Sequence, residues 1–351
     1  MSTPFFTIVM PLYNKAPYVR KAVASVVGQT CGDWELVVVD DGSTDGSGDV
    51  VGTFDDPRIR LVRQENAGVG AARNRGVADF GGGAIADTRD EAAVESSSHR
   101  AEPAGTLAAD SSGEAALASP YVCFLDADDW WEPTFLEEMA SLIGRYPGAG
   151  IYGTGYYIVK SGRKRVAPIG VDAGFAEGEI NYCRVYARTL CMPLWTGAVC
   201  MPRTVFTEMG GFPVGVRLGE DFLLWVHTAL KHKVVLLNRP LSNYNQDVDV
   251  AFRGTHHLHA PEHHMLWHLG DLEPLERTDA DYKRLVDAMR CYDLWNYHLS
   301  REYHAAAAQE LAKVDWSRQP SRERRRYRLP LWMARLWTGL LTAASSLRRA
   351  F

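Results

Sequence analysis

The chain has 351 residues, 46% hydrophobic and 23% charged, which is room for one large globular unit or two ordinary ones. A formal net charge of −5 argues against general nucleic-acid binding, and six scattered cysteines without a CxxC pair argue against a disulfide framework or a zinc site. Reduced thiols in a cytoplasmic protein are expected instead. The N-terminus enters a strand-like run without a basic and then apolar leader, so no signal peptide is expected.

Thr7-Ile8-Val9-Met10-Pro11 is an apolar run closed by proline and reads as a buried strand, with Leu12-Tyr13-Asn14-Lys15 as the loop after it. From Ala16 to Gln29, apolar Val19, Ala22, Val23, Val26 and Val27 recur at helical spacing. Glu35 to Val39 predicts a second strand ending in Asp40-Asp41-Gly42-Ser43, Thr44 to Thr53 a helix, and Ile59 to Val62 a third strand. Asn66-Ala67-Gly68-Val69-Gly70 is a loop, and another helix begins at Ala71. Strand and helix alternating at this spacing predict an α/β fold with a parallel sheet. Such sheets bind ligands beyond the carboxyl ends of their strands. Tyr13, Asp41, Arg73 and Asp128 all fall at those ends and are expected to share one crevice.

Tyr121 to Leu125 reads as a further strand, and Asp126-Ala127-Asp128-Asp129-Trp130-Trp131 follows it. Three carboxylates this close repel one another and stay ionised together only with a cation among them. Oxygen ligands of this kind suit Mg2+ or Mn2+ shared with substrate phosphates. An isolated DxD is more often a solvated acidic loop. The strand before it and the Glu132-Pro133 helix start after it weigh against that here. Downstream, Pro133 to Arg145 predicts a helix, Ile151 to Lys160 a strand, Leu194 to Met201 a strand and Pro202 to Met209 a short helix. Phe222 to Leu230 predicts a helix and Val234 to Leu237 a last strand, and from Pro261 the pattern is helical.

Taken in order, Ile8 to Asn14, Val38 to Asp45, Asn66-Ala67-Gly68 with Ala72-Arg73-Asn74, Phe124 to Asp129, and Gly210-Gly211-Phe212 followed by Gly219 to Trp225 make the chain resemble the family 2 glycosyltransferases. Each motif alone is weak, and their order gives the resemblance its strength over about residues 5–245, less one insertion. It implies a GT-A fold, a Rossmann-like nucleotide-binding mixed sheet flanked by helices, over residues 1–245. Residues 246–351 would be a helical C-terminal extension. The implied activity is inverting, metal-dependent transfer from a nucleotide sugar, UDP-linked before GDP- or dTDP-linked. The acceptor would be a saccharide or a lipid-linked saccharide in bacterial surface polysaccharide assembly, at the inner face of the cytoplasmic membrane.

By the same resemblance, Pro11, Tyr13, Asp41, Arg73, Asp126 and Ala127 fall to the nucleotide sugar, with Tyr13 on the base ring and Asp41 accepting from the base N–H. Asp128 falls to Mg2+ or Mn2+, and Arg73 adds a cation near the phosphates. The residues alone leave a turn-forming role for Asp41 and a surface ion pair for Arg73. Asp221 is the expected general base, with Glu220 in reserve. One base and one metal suffice for single displacement, with no second carboxylate to trap the sugar. Trp225 and Trp195 are assigned to the acceptor pocket, with core packing an equal reading of each. Two rivals remain. A sugar-nucleotide pyrophosphorylase would need a Gly-rich loop with Arg and Lys where this chain has Pro11-Leu12-Tyr13-Asn14. A catalytically inactive scaffold is disfavoured by intact Asp41, Asp128 and Asp221.

Residues 81–119 interrupt the resemblance with seven acids against two bases and no aromatic residue, and are expected to form a disordered surface loop. Gly68-Val69-Gly70-Ala71-Ala72-Arg73 is a weak, incomplete dinucleotide fingerprint. His256, His257, His259, His263, His264 and His268 cluster without a defined ligand spacing and read as solvated. Arg253 is a candidate to reach the diphosphate from a covering loop. From Ser317 onward nine arginines face one glutamate. After Pro330, Trp332, Met333, Leu336, Trp337, Leu340, Leu341, Ala344 and Leu347 repeat at three and four, opposite Arg335, Thr338, Thr342, Ser345 and Arg349. Such a segment, too short and polar to span a bilayer, suits peripheral membrane contact through residues 322–349. Packing on the domain or a partner subunit is the alternative.

Overall fold

A computed structural model of the chain describes residues 4–79, 119–249, 258–336 and residue 338. The expected alternation opens it, with β1 (Phe6–Leu12), α1 (Ala16–Val27), β2 (Trp34–Asp40), α2 (Ser47–Val51), β3 (Ile59–Arg63), α3 (Val69–Ala78) and β4 (Tyr121–Phe124). These strands lie in the order β3-β2-β1-β4 and are parallel throughout. The near-continuous apolar runs of β1, β2 and β4 fit a sheet covered on both faces, while β3, at the edge, carries Arg60 and Arg63. Phe6, Ile8, Met10 and Leu12 share a core with Val19, Ala22, Val23 and Val26 of α1, whereas Val9 joins the core on the other face. A buried valine of this kind contributes about 1.5–3 kcal/mol, so α1 is held by packing and needs no side-chain cap.

The sheet continues through β5 (Trp130–Trp131), α4 (Phe135–Arg145), β6 (Ile151–Lys160), β7 (Arg163–Val166), β8 (Glu177–Ile180), α5 (Tyr182–Thr189), β9 (Val199–Pro202), α6 (Arg203–Glu208), α7 (Glu220–Ala229) and β10 (Val234–Asn245). The strand order becomes β3-β2-β1-β4-β9-β6-β10-β5, with β7 on β6 and β8 on β10. Strand β9 is antiparallel to both neighbours, so the sheet is mixed, ten-stranded among the described residues and flanked by helices. This is the α/β architecture that the resemblance implies.

The departures from expectation have local causes. Trp130 and Trp131 form a strand because Trp131 is buried, stacks on Phe135 at 4.2 Å and donates its indole N–H to the Gly197 carbonyl. Strand β10 runs on past Leu237 through register shifts around Pro240, which hide its continuation from the hydropathy pattern. The expected strand Leu194–Met201 begins instead with a 3-10 turn at Thr196–Ala198. Strand β7 is exposed along its length and carries no apolar alternation to read.

Beyond β10, 3-10 turns between Pro261 and Arg277 lead to α8 (Ala280–Leu299), α9 (His304–Ala312) and α10 (Ser321–Arg328), after which residues 331–336 are helical. One hydrophobic core runs from Val122 and Phe124 of the sheet through Phe222 and Trp225 of α7 to Leu285, Val286 and Met289 of α8. Arg290, 1% exposed, is bound there by Glu276 at 2.6 Å and Glu310 at 3.2 Å. Lys283 reaches Glu276 and Asp287 at 3.0 and 2.6 Å, and Lys313 meets Glu310 at 2.9 Å.

Three histidines of the cluster serve the backbone. His263 Nδ1 bonds the Gly215 carbonyl, His268 Nε2 the Glu262 carbonyl, and His264 Nδ1 accepts from Leu266 N–H. Burial pushes His264 down to about 4, so it is neutral at neutral pH. His256, His257, Arg253 and residues 81–118 lie outside the described residues. Ser119, the last residue of the expected insertion, is buried, and its carbonyl accepts from Arg203 Nε. In the C-terminal helix Ala334 is buried and Arg335 donates to the Leu299 and Ser300 carbonyls, while Trp332, Met333 and Leu336 are exposed. The arginine faces the protein and the apolar side faces out.

Candidate active site

Two turns that need glycine bring distant motifs together. Gly211 has φ +73°, and a Cβ there would sit 2.6 Å from Asn74 Oδ1. Asn74 instead clasps the next residue, accepting from Phe212 N–H and donating to the Phe212 carbonyl, both at 2.8 Å. Gly219 caps α7 with φ +83°, and a Cβ there would lie 2.2 Å from Met265 Sδ. Around it a seam of backbone bonds joins Arg217 and Leu218 to His263 and Met265, so the start of α7 is braced by the segment after β10.

Arg73 occupies the centre. The neighbouring Asn74 clasp places it on the inner side of α3, where it is 3% exposed with its guanidinium 5.0 Å from the Phe212 ring. Nη1 donates to Glu220 Oε1 at 2.8 Å and Nη2 to Asp126 Oδ1 at 2.7 Å. Burial disfavours its charge, but Asp126, Glu220 and Asp221 together outweigh that and raise its pKa. The surface ion pair is thereby corrected: Arg73 joins the loop after β4 to the first turn of α7 from within.

The three carboxylates after β4 separate by role. Asp126 takes Arg73, and Asp128 Oδ2 takes Lys15 Nζ at 2.5 Å. Asp129 turns inward, where its oxygens accept Asn245 N–H at 2.8 Å and Trp195 Nε1 at 3.0 Å. Burial and then the charges of Asp128 and Asp126 push Asp129 well above the usual carboxylate range. Asp128 is raised too, by burial against the pull of Lys15. Arg73 and Lys15 thus each pair with one acid of this loop. Ala127 between the acids is buried. Among the described residues no three His, Cys, Asp or Glu side chains converge on a metal position.

At the ends of β1 and β2, Tyr13 is half exposed, and Pro11 pairs with Val39 across the ladder. Asp41 is 3% exposed and accepts from Gln64 Nε2, Ala67 N–H and Gly68 N–H at 2.7, 2.8 and 2.9 Å. It therefore shapes the loop that starts α3. At the opposite wall Glu220 and Asp221 open α7, where the helix N-terminus favours negative charge. Asp221 Oδ2 accepts from Thr196 Oγ1 at 2.8 Å and Oδ1 from Phe222 N–H at 2.7 Å. Burial and then the neighbouring Asp221 charge push Glu220 up to about 7, against Arg73. Burial also raises Asp221, again against Arg73.

The tryptophans part company. Trp225 is fully buried against Phe212 and Phe124 and is a core residue with no surface to offer an acceptor. Trp195 is partly exposed beside Tyr244, 3.9 Å between ring centres, and Tyr156, 5.8 Å. Lys15 and Thr196 are site neighbours that the sequence reading did not single out. Lys15 stands in the loop after β1, so position could have flagged it, whereas nothing local marks Thr196.

The model of glycosyl transferase family 2 matches residues 7–86 and 99–195, half of the chain, and the break falls inside the insertion. The glycosyltransferase GlyA of Streptococcus pneumoniae is 33% identical over 142 residues, which are 40% of this chain and 15% of that protein. TuaG of Bacillus subtilis, named as a candidate teichuronic acid biosynthesis glycosyltransferase, is 30% identical over 138 residues, 38% of this chain and 40% of TuaG. These matches therefore span less than half the length of either relative. Among solved structures, S. aureus TarS 1-349 in complex with UDP-GlcNAc superposes with a TM-score of 0.62 at 17% identity, covering 91% of this chain and 82% of TarS 1-349. It shares the fold.

Proposed function

The chain belongs to glycosyl transferase family 2, and from that premise we propose that it is an inverting, metal-dependent glycosyltransferase. It moves a sugar from a nucleotide-sugar donor, UDP-linked by preference, to a saccharide or lipid-linked saccharide acceptor in bacterial surface polysaccharide synthesis. One observation carries the reading: buried Arg73 binds an acid of the DxD loop and an acid of the α7 turn at once, so a donor-side and an acceptor-side carboxylate share one crevice.

The residues present fit a divalent cation. Mg2+ and Mn2+ take one or two carboxylates and complete their shell with water and substrate phosphates, and Asp128 with Asp126 offers that much. The Lys15 ammonium on Asp128 marks the place as favourable to positive charge. When bound, the cation neutralises charge on the departing diphosphate. The chain's own groups do the rest. Arg73 fixes Asp126 and adds a second positive charge beside the phosphates. Half-exposed Tyr13 presents a ring face to the base, and Asp41 offers its remaining lone pair to the base N–H while holding the loop at residues 64–68. Pro11 and Ala127 let the nucleotide lie close to the backbone. Asp221, aimed by Thr196, takes the acceptor hydroxyl proton as the new C–O bond forms.

The outward apolar side of residues 332–336, next to the arginines of α10, supports a peripheral contact with the inner face of the cytoplasmic membrane through residues 322–349. Among the described residues no helix is long and apolar enough to cross a membrane. Titrating Mn2+ into the protein with and without UDP tests the central reading. Cooperative binding of metal and UDP is expected, and its absence overturns the assignment. Flotation with anionic liposomes tests the contact: association at low salt is expected, lost on truncation after Gln319.

A further inference from the structure

Between α8, α9 and α10 lies a cavity of about 410 Å3, built from none of the active-site residues. Part of its wall is ring surface: Trp316 and Tyr327 are 5.3 Å apart, and His298 lies 5.2 Å from Tyr327. Leu311 adds aliphatic surface. The remaining wall is charged. Arg324 and Arg328, one helical turn apart on α10, both line the cavity. Among the described residues neither guanidinium has an ion-pair partner, although Arg326 between them pairs with Glu323 at 3.4 Å and covers the Trp295 ring at 3.9 Å. His298 Nδ1 is sealed from solvent and likewise without a partner.

Two unpaired guanidiniums beside a ring-lined hollow suit a phosphate joined to an apolar body, because the planar fork binds phosphate oxygens in pairs. The apolar wall offers nothing to inorganic phosphate. The exposed side of Trp332, Met333 and Leu336 starts just after α10, and Arg335 fastens it to Leu299 and Ser300, next to His298 of the cavity. Cavity and outward apolar side thus meet at the C-terminal end of α8. We propose that the cavity binds the phosphate headgroup of an anionic lipid. The phosphate lies between Arg324 and Arg328, and the first carbons of the lipid rest against Trp316, Tyr327 and Leu311. This rests on the membrane contact proposed above and gives that contact a specific lipid chemistry.

The test is calorimetric titration of the full chain with dihexanoyl phosphatidic acid below its micellar concentration, with dihexanoyl phosphatidylcholine and inorganic phosphate as separate arms. Saturable binding of the phosphatidic acid alone is expected, weakened about tenfold or more in R324Q/R328Q. Metal-dependent UDP binding by the same variant should be unchanged, which shows that it is folded. W332S/L336S should keep the soluble lipid and lose vesicle flotation. A wild-type protein that binds the soluble lipid without floating would refute the membrane contact and leave the cavity assignment standing. No saturable binding, equal affinity for inorganic phosphate, or an unaffected R324Q/R328Q would overturn the proposal.

Discussion

Two arginines are buried in this molecule among acids, and they are buried differently. Around Arg290 the buried charges balance: Arg290, Lys283 and Lys313 face Glu276, Asp287 and Glu310, with exposed Glu273 reaching Lys313 from the rim, and the bonds from Arg290 and Lys283 outweigh burial and hold Glu276 below its usual range. Around Arg73 they do not. One guanidinium serves Asp126, Glu220 and Asp221, and the two acids of α7 are pushed upward. A balanced network holds helices together. An acid-rich one, kept by burial at the edge of ionisation, is suited to taking up a proton or a cation. The same residue types balance their charge in one place and not in the other, and stoichiometry makes the difference.

The largest expected effect breaks the acid-rich cluster. Asp221→Asn should cut transfer by about 10²–10⁴-fold while UDP binding persists. If donor affinity falls and turnover holds, Asp221 belongs to the donor. A heavier loss of turnover in Glu220→Gln would hand the base to Glu220.

Arg290→Met tests the other side of the comparison. Removing one partner of a buried ion network costs about 3–5 kcal/mol, which urea unfolding would register, with metal-dependent UDP binding of the folded fraction unchanged. A variant as stable as wild type would mean that the balance around Arg290 is idle.

Asp128→Asn should weaken Mn2+-dependent UDP binding by about tenfold or more with little change in Tm. Equal binding in the variant removes Asp128 from the metal.

The smallest effect is a shift in pH. Glu220 is raised to about 7 in the fold from an ordinary value of 4.5, so its stabilising protonated form is complete below 4.5 and lost as pH rises through 7. Glu220→Gln should therefore be more stable than wild type at pH 8. The acid limb of transfer should lie near neutrality, as a property of the Glu220 and Asp221 pair. In Glu220→Gln that limb should move to lower pH, because Arg73 is freed to favour the charge on Asp221. A limb that stays in place uncouples the two acids.

The β1 to β4 half of the fold was legible because its strands are mostly apolar runs ending in polar loops, and β5 and the continuation of β10 were not, because their cause is tertiary. Trp131 is a strand residue through its contacts with Phe135 and Gly197, which no local pattern encodes. Sequence motifs likewise marked the acids after β4 and hid what each of them binds. Asp126, Asp128 and Asp129 look alike in the chain, yet one binds Arg73, one Lys15 and one the backbone of Asn245. Helical periodicity separated the apolar side of the tail from Arg335. It could not say that Arg335 would be the side that docks.

The seam at Gly219 bears on how such enzymes diversify. The turn that aims Asp221 has no room for a side chain because Met265, from beyond the sheet, already fills the space, and backbone bonds lock residues 217 and 218 to residues 263 and 265. The C-terminal helices therefore are not an appendage that recombination could exchange freely behind a fixed catalytic unit. Any replacement must bring its own counterpart of Met265, or Asp221 is aimed elsewhere. Divergence in acceptor choice and divergence in the helical region are expected to travel together along a lineage.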